Sequence, residues 1–235
     1  MGEGVRVKIC GLVRREDVLV ADAAGADYLG VVLSAGFGRS VDPGRAASLV
    51  EGTRAVKVAV LVDETAASGE AAARALGAEV LQLHGSEEPD LLEALRGRGE
   101  WTLWKAVRAA SLADIERTVE RYAPLADGIL VEGWREGSLG VGGARLALDA
   151  ERVRALVPDD LDFVLAGGLA PATVAEAVRR FRPDVVDVSS GVEPELGVKD
   201  ASMVQAFVRA ARMETGGGRG PSEARGRASA AGGSR

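Results

Sequence analysis

Few side chains in this sequence are suited to proton transfer or nucleophilic attack. There is one cysteine, Cys10, one histidine, His84, and a small set of carboxylates that end apolar runs, among them Glu132 and Asp187. Cys10 sits in Lys8-Ile9-Cys10-Gly11, and a thiol there acts as base or nucleophile if its pKa falls from the ordinary value of about 8.5. A buried structural cysteine is the competing reading. His84, in Gln82-Leu83-His84-Gly85, is the obvious acid–base group on composition alone, because imidazole titrates near neutrality. Lys105 invites a Schiff-base reading, since a desolvated lysine is nucleophilic, although structural or electrostatic service fits it better. A single cysteine excludes an internal disulfide, and one histidine leaves too few soft ligands for a zinc site. No metal is expected.

The 235 residues carry a net charge of −6, are 47% hydrophobic and are 27% charged, which is a globular composition. An acidic chain lacks the basic patches that neutralise nucleic-acid phosphates, so no nucleic-acid partner is expected. No run of about 18 uncharged apolar residues occurs, and residues 1–15 hold Arg6, Lys8, Arg14 and Arg15; neither a membrane span nor a signal peptide is expected. The simplest location is the cytoplasm. From Glu214 the chain has seven glycines and no Val, Ile, Leu or aromatic residue, so residues 214–235 are expected to form a disordered tail. Its four Arg and two Glu make it +2, which leaves −8 on residues 1–213.

Within 1–213 a short β-branched run, a turn and an Ala/Leu/Arg-rich amphipathic stretch recur eight times. The runs are 5–9, 28–33, 55–62, 79–83, 101–107, 128–132, 162–166 and 184–188, apolar enough for parallel strands buried on both faces. Helical periodicity occupies 15–24, 43–51, 66–77, 88–97, 111–121, 149–157, 171–181 and 199–212. Pro43 after Asp42 and Pro171 in a first turn mark helix starts, and Ser111 and Asp149 are N-cap candidates. Eight alternations of about 27 residues predict an α/β fold, a single (β/α)8 TIM barrel over 1–213, with an open doubly wound sheet as the alternative. Polar or glycine residues follow nearly every run, which favours the barrel, because a barrel gathers function at the C-terminal ends of all eight strands.

The seventh and eighth units carry Ala166-Gly167-Gly168-Leu169 and Ser189-Ser190-Gly191-Val192-Glu193. Glycines let backbone amides approach an anion, and barrels frequently bind phosphate with these two loops. Gly167, Gly168, Ser190 and Gly191 are therefore expected to cradle a phosphorylated small molecule; a simple tight turn is the bland alternative.

Taken together, Lys8-Ile9-Cys10-Gly11, Gln82-Leu83-His84-Gly85, Ala166-Gly167-Gly168-Leu169, Asp187-Val188-Ser189-Ser190-Gly191-Val192-Glu193 and Gly197-Val198-Lys199-Asp200 resemble the phosphoribosylanthranilate isomerase family of tryptophan biosynthesis, in order over residues 5–212. The resemblance implies an Amadori rearrangement of N-(5-phosphoribosyl)anthranilate to 1-(2-carboxyphenylamino)-1-deoxyribulose 5-phosphate, with no metal or organic cofactor. It makes Cys10 the general base. The family's general acid is an aspartate closing strand six, where this sequence has Glu132; Asp127 precedes the same run and belongs to the opposite face of the barrel. Glutamate keeps the carboxyl chemistry and changes its reach by one methylene. Arg39 resembles the family arginine near the anthranilate carboxylate, His84 a site-lining histidine, and Asp187 an aspartate near the ribose hydroxyls. Phe37 is placed to help cover the aromatic ring. The segment from Leu139 to Asp149 keeps its glycines in altered register and lacks the family's hydroxyl and aromatic residues.

Two further readings stay open on the sequence: an isomerase acting on another phosphoribosylated amine, and a catalytically impaired barrel that retains phosphate-ligand binding. A monomer is expected, because no separate assembly segment is visible.

Overall fold

Strict alternation of inward and outward side chains along short parallel strands is what closes this chain on itself. The structure, a computed structural model, describes residues 4–133 and 147–213. The expected tail over 214–235 and the altered segment through Leu146 lie outside the described residues. The strands are β1 Arg6–Ile9, β2 Tyr28–Val32, β3 Val56–Leu61, β4 Val80–Leu83, β5 Thr102–Ala109, β6 Gly128–Gly133, β7 Asp162–Ala166 and β8 Val185–Val188. All pair in parallel with their sequence neighbours, and β1 pairs with β8 to close the barrel. The open-sheet alternative is excluded by that closure.

Each strand is followed by a helix: α1 Arg15–Ala23, α2 Pro43–Val50, α3 Ala66–Leu76, α4 Pro89–Arg96, α5 Leu112–Tyr122, α6 Ala150–Leu156, α7 Val174–Phe181 and α8 Ala201–Arg212. The expected starts hold at α2, where Asp42 accepts from the Gly44 amide, and at α6, where Asp149 accepts from the Arg152 amide. Ser111 precedes α5 and its amide and hydroxyl both donate to Asp114. Pro171 departs from expectation. It lies in the turn before α7 rather than in its first turn, because the Ala170 amide is taken by the Thr173 hydroxyl at 3.1 Å and the helix begins only at Val174.

Outward strand residues such as Val7, Ile9, Leu29, Leu81, Ile129, Phe163 and Val186 pack beneath the helices in one continuous core. The inward residues Tyr28, Val58, Val80, Trp104, Leu130, Val164 and Val185 fill the barrel lumen as a second core. At the N-terminal end of the strands Arg6 closes the lumen, donating to the Tyr28 hydroxyl at 2.7 Å and to Asp162 at 2.6 Å. Burial pushes the Tyr28 phenol up to about 12, so it stays neutral in that contact.

Alternation also disposes of Lys105. Trp104 and Ala106 point into the lumen, so Lys105 points out toward α5, where its ammonium lies 5.5 Å from the Tyr122 ring centroid. There it donates to Glu87 at 2.9 Å and to the carbonyls of Gly85 and Ala106 at 2.8 and 3.1 Å. Glu87 accepts in turn from the Asp63 and Gly85 amides, so the pair ties the loops after β3 and β4 to β5. This is the structural service expected of Lys105. Removing one partner of a buried ion pair strands the other, so Lys105→Met should destabilise the barrel by about 3–5 kcal/mol in urea denaturation. Arg98→Ala, which breaks the exposed contact to Glu70, should shift the midpoint little.

Candidate active site

The C-terminal ends of the strands surround a cavity of about 160 Å³. Cys10, Arg39, His84, Glu132, Gly167, Gly168, Asp187, Ser190 and Gly191 all line it, together with Phe37. Every site residue expected from the sequence is thus brought to one chamber. Cys10 follows β1 and Glu132 ends β6; β8 and β7, which carry the two glycine loops, lie between them around the barrel. Base and acid candidates therefore stand apart on the rim with the phosphate corner between them.

Cys10 is buried, and its surroundings are charged. Lys8, two residues earlier on the same inward face, is fully buried and donates to Asp187 Oδ2 at 3.0 Å, its register partner across the β1–β8 seam. Both side chains crowd over Gly30: a Cβ there would lie 2.8 Å from Cys10 Sγ and 3.1 Å from Lys8 Cε. Burial pushes the thiol up, and the Lys8 ammonium offsets only part of that.

Glu132 is held by His84, whose Nε2 lies 3.2 Å from Oε2, with Arg108 Nε at 3.9 Å on the same oxygen. His84 Nδ1 is 2.7 Å from Gln82 Nε2, so the amide, the imidazole and the carboxylate form a chain. With the Gln82 N–H donating to Nδ1, the His84 proton is on Nε2 and points at Glu132. Burial alone would raise the Glu132 carboxyl, but the hydrogen bond to His84, with Arg108 and Lys8 adding, holds it below the usual glutamate range. The extra methylene of glutamate is thereby absorbed: it carries one carboxylate oxygen onto the histidine. Asp127 sits at the other end of β6, bound to Arg96 and the Leu103 amide, as its place in the sequence requires.

Arg39 reaches the cavity, but its guanidinium is already engaged. Nε and Nη2 donate to the two oxygens of Glu193 at 2.9 and 2.5 Å. Lys199 holds the other side of Glu193 at 2.6 Å and also donates to the carbonyls of Cys10 and Ser189 at 2.6 and 3.1 Å. Burial pushes the Glu193 carboxyl up, and these two cations outweigh it and pull it below its usual range. Arg39 is thus tied to the loop after β8.

Gly167 and Gly168 have φ of +87° and +61°, a conformation that costs side-chain-bearing residues. Gly191, in the short 3-10 turn Ser190–Val192, leaves no room for a side chain, since a Cβ would fall 1.8 Å from the Leu169 carbonyl oxygen. The two loops are in direct backbone contact, which turns their small residues toward one corner.

Sequence reading missed Lys8, Gln82, Arg108, Gly30 and the Glu193–Lys199 link. For three of them the signal was present: residues two apart on a strand share a face, so Lys8 accompanies Cys10, Gln82 accompanies His84, and Arg108 shares the inward face of Trp104 and Ala106. Nothing in the sequence pairs Arg39 with Glu193, 154 positions away.

Residues 7–210 match the family described as N-(5'phosphoribosyl)anthranilate (PRA) isomerase. An N-(5'-phosphoribosyl)anthranilate isomerase of Afipia carboxidovorans is 42% identical over 209 residues, covering 88% of each chain. The dimeric phosphoribosylanthranilate isomerase of Thermotoga maritima, solved as generated monomers, superimposes with a TM-score of 0.76 at 31% identity, covering 89% of this chain and 99% of that one. A solved isomerase in complex with reduced 1-(o-carboxyphenylamino)-1-deoxyribulose 5-phosphate matches with the same TM-score, identity and coverage. With its closed barrel, the chamber at its strand ends and these matches over almost the whole described chain, this protein belongs to the phosphoribosylanthranilate isomerase family.

Proposed function

We propose that this barrel catalyses the Amadori rearrangement of N-(5'-phosphoribosyl)anthranilate in tryptophan biosynthesis, an activity that sets it in the cytoplasm. The observation that carries the reading is the placement of a thiol and a carboxyl on the rim of one chamber, with the glycine loops after β7 and β8 between them. The amides around Gly167, Gly168, Ser190 and Gly191 take the phosphate, and Arg39 takes the anthranilate carboxylate beside Phe37. The reaction needs no cofactor, because the substrate's own nitrogen supplies the electron pair.

Glu132 gives a proton to the furanose ring oxygen; the C1′–O bond breaks as the amine nitrogen lone pair forms C1′=N. Cys10 as thiolate then takes the C2′ proton, the electrons of that C–H bond become C1′=C2′, and the iminium is neutralised to the enolamine. Proton return to C1′, with loss of the C2′ hydroxyl proton, gives the ketose. Glu132 takes up its proton when the substrate arrives. The substrate removes the water that still reaches the Glu132 side chain, which raises its affinity for a proton. Asp187 offers its second oxygen to the ribose. A monomer suffices, since every residue named comes from one chain; light scattering of the purified protein tests this.

Expression of the gene should rescue a tryptophan auxotroph lacking this isomerase, and Cys10→Ala and Glu132→Gln should each abolish rescue and turnover. Undiminished activity in both variants overturns the assignment. Glu132→Asp draws the carboxyl back from His84, and a displacement of about 1 Å should lower kcat on the order of a hundredfold. A gain instead would show a site tuned to a different phosphoribosylated amine. The barrel over 1–213 is proposed to carry the whole activity, so deleting 214–235 should leave kcat/KM unchanged.

A further inference from the structure

Lys8 is a fully buried ammonium at the floor of the chamber, and a buried charge of this kind is expensive unless it is paired. Its partner is Asp187 Oδ2 at 3.0 Å, and Cys10 Sγ crowds the same space over Gly30 as the Lys8 Cε. Asp187 is itself about nine-tenths buried and lines the cavity, and its other oxygen, Oδ1, has no hydrogen-bond partner among the described residues. A buried carboxylate oxygen without a donor points to a donor that a ligand brings.

Four charged groups face Cys10. Lys8 comes from its own strand and Asp187 from β8; Lys199 binds the Cys10 carbonyl, and Arg39 approaches from the loop after β2. Lys199 and Arg39 are both committed to Glu193, so their combined field at the sulfur is fixed. The Lys8–Asp187 pair differs, since one of its members keeps a binding position open.

We infer that Lys8 and Asp187 form a charge couple that decides whether Cys10 holds its proton, and that a substrate hydroxyl donating to Asp187 Oδ1 turns the Lys8 charge toward the sulfur. This rests on the reading of Cys10 as the base. Paired with Lys8, Asp187 withholds the ammonium's charge from the sulfur, which favours the thiol. When a ribose hydroxyl hydrogen-bonds to Oδ1, the carboxylate's charge is shared with that donor and its hold on Lys8 weakens. The ammonium then stabilises the thiolate beside it, and the proton of the thiol leaves to solvent before the chamber is committed to reaction. Lys8 and Asp187 act on the sulfur rather than on the reacting carbon, which makes them positioning residues.

Cys10 is the chain's one cysteine, so cysteine labelled with 13C at Cβ gives a single signal whose shift reports thiol against thiolate. The full chain is titrated alone, with the reduced product analogue bound, and as Asp187→Asn and Lys8→Met. Removing the carboxylate charge should lower the titration midpoint, raising the thiolate fraction at neutral pH by about tenfold or more. Removing the ammonium should raise the midpoint, and the bound analogue should lower it. Lys8→Met leaves Asp187 buried without its cation and is paired with Lys8→Met/Asp187→Asn, which is expected to hold the midpoint at or above that of the parent. Loss of packing would move both single variants in the same direction, so opposite shifts are the signature of the couple. A midpoint that is unchanged or raised in Asp187→Asn, or unmoved by the analogue, overturns the inference. Turnover that survives Cys10→Ala overturns the base assignment instead, whatever the titrations show.

Discussion

The seam where β1 meets β8 carries the constraint on which the site depends. Closure of eight short parallel strands sets Lys8 beside Asp187 in register, and the inward turn of both side chains places a buried ion pair directly beneath the chamber. Were the seam to slip by one residue, every inward side chain of β1 would turn toward the helices, and Cys10 with them. Gly30 on β2 completes the arrangement by leaving space for sulfur and ammonium together. The same pairing thus closes the fold and sets the electrostatics of its reactive thiol.

Around the rim, the cationic groups are restrained by carboxylates of the chain itself. Glu193 holds Arg39 and Lys199, and Glu132 is held by His84 and Arg108. An acidic protein that takes up an anionic substrate has no favourable overall field to rely on. It relies on short, directed contacts in a chamber of low dielectric, where a few aimed donors outweigh a distant net charge. Lys199 links three parts of that chamber through the Cys10 carbonyl, the Ser189 carbonyl and Glu193, which ties the end of β1, the loop after β8 and Arg39 together.

Glutamate at position 132 shows how a change in one side chain is accommodated by its neighbours. Its added length spans the gap to His84 and lays one carboxylate oxygen against imidazole and guanidinium. His84, read from the sequence as a lining residue, is also the hydrogen-bond partner of the acid candidate. That partnership is a property of two strand ends with β5 between them on the rim, β4 and β6, and no local pattern records it.

Composition and periodicity determined the eight-unit barrel, the strand ends that would face the chamber and the two glycine loops, because strand and helix periods and glycine's backbone freedom are local properties. The roles expected of Cys10 and Glu132 came from the family resemblance, and alternation left Lys8, Gln82 and Arg108 within reach of a closer reading. Only the tertiary structure decided that Arg39 is bound to Glu193, that Glu132 leans on His84, and that the Lys8–Asp187 pair lies beside Cys10. Those facts depend on distances between residues far apart in the chain and on how much water each charge has lost, and a linear sequence fixes neither until the barrel has closed.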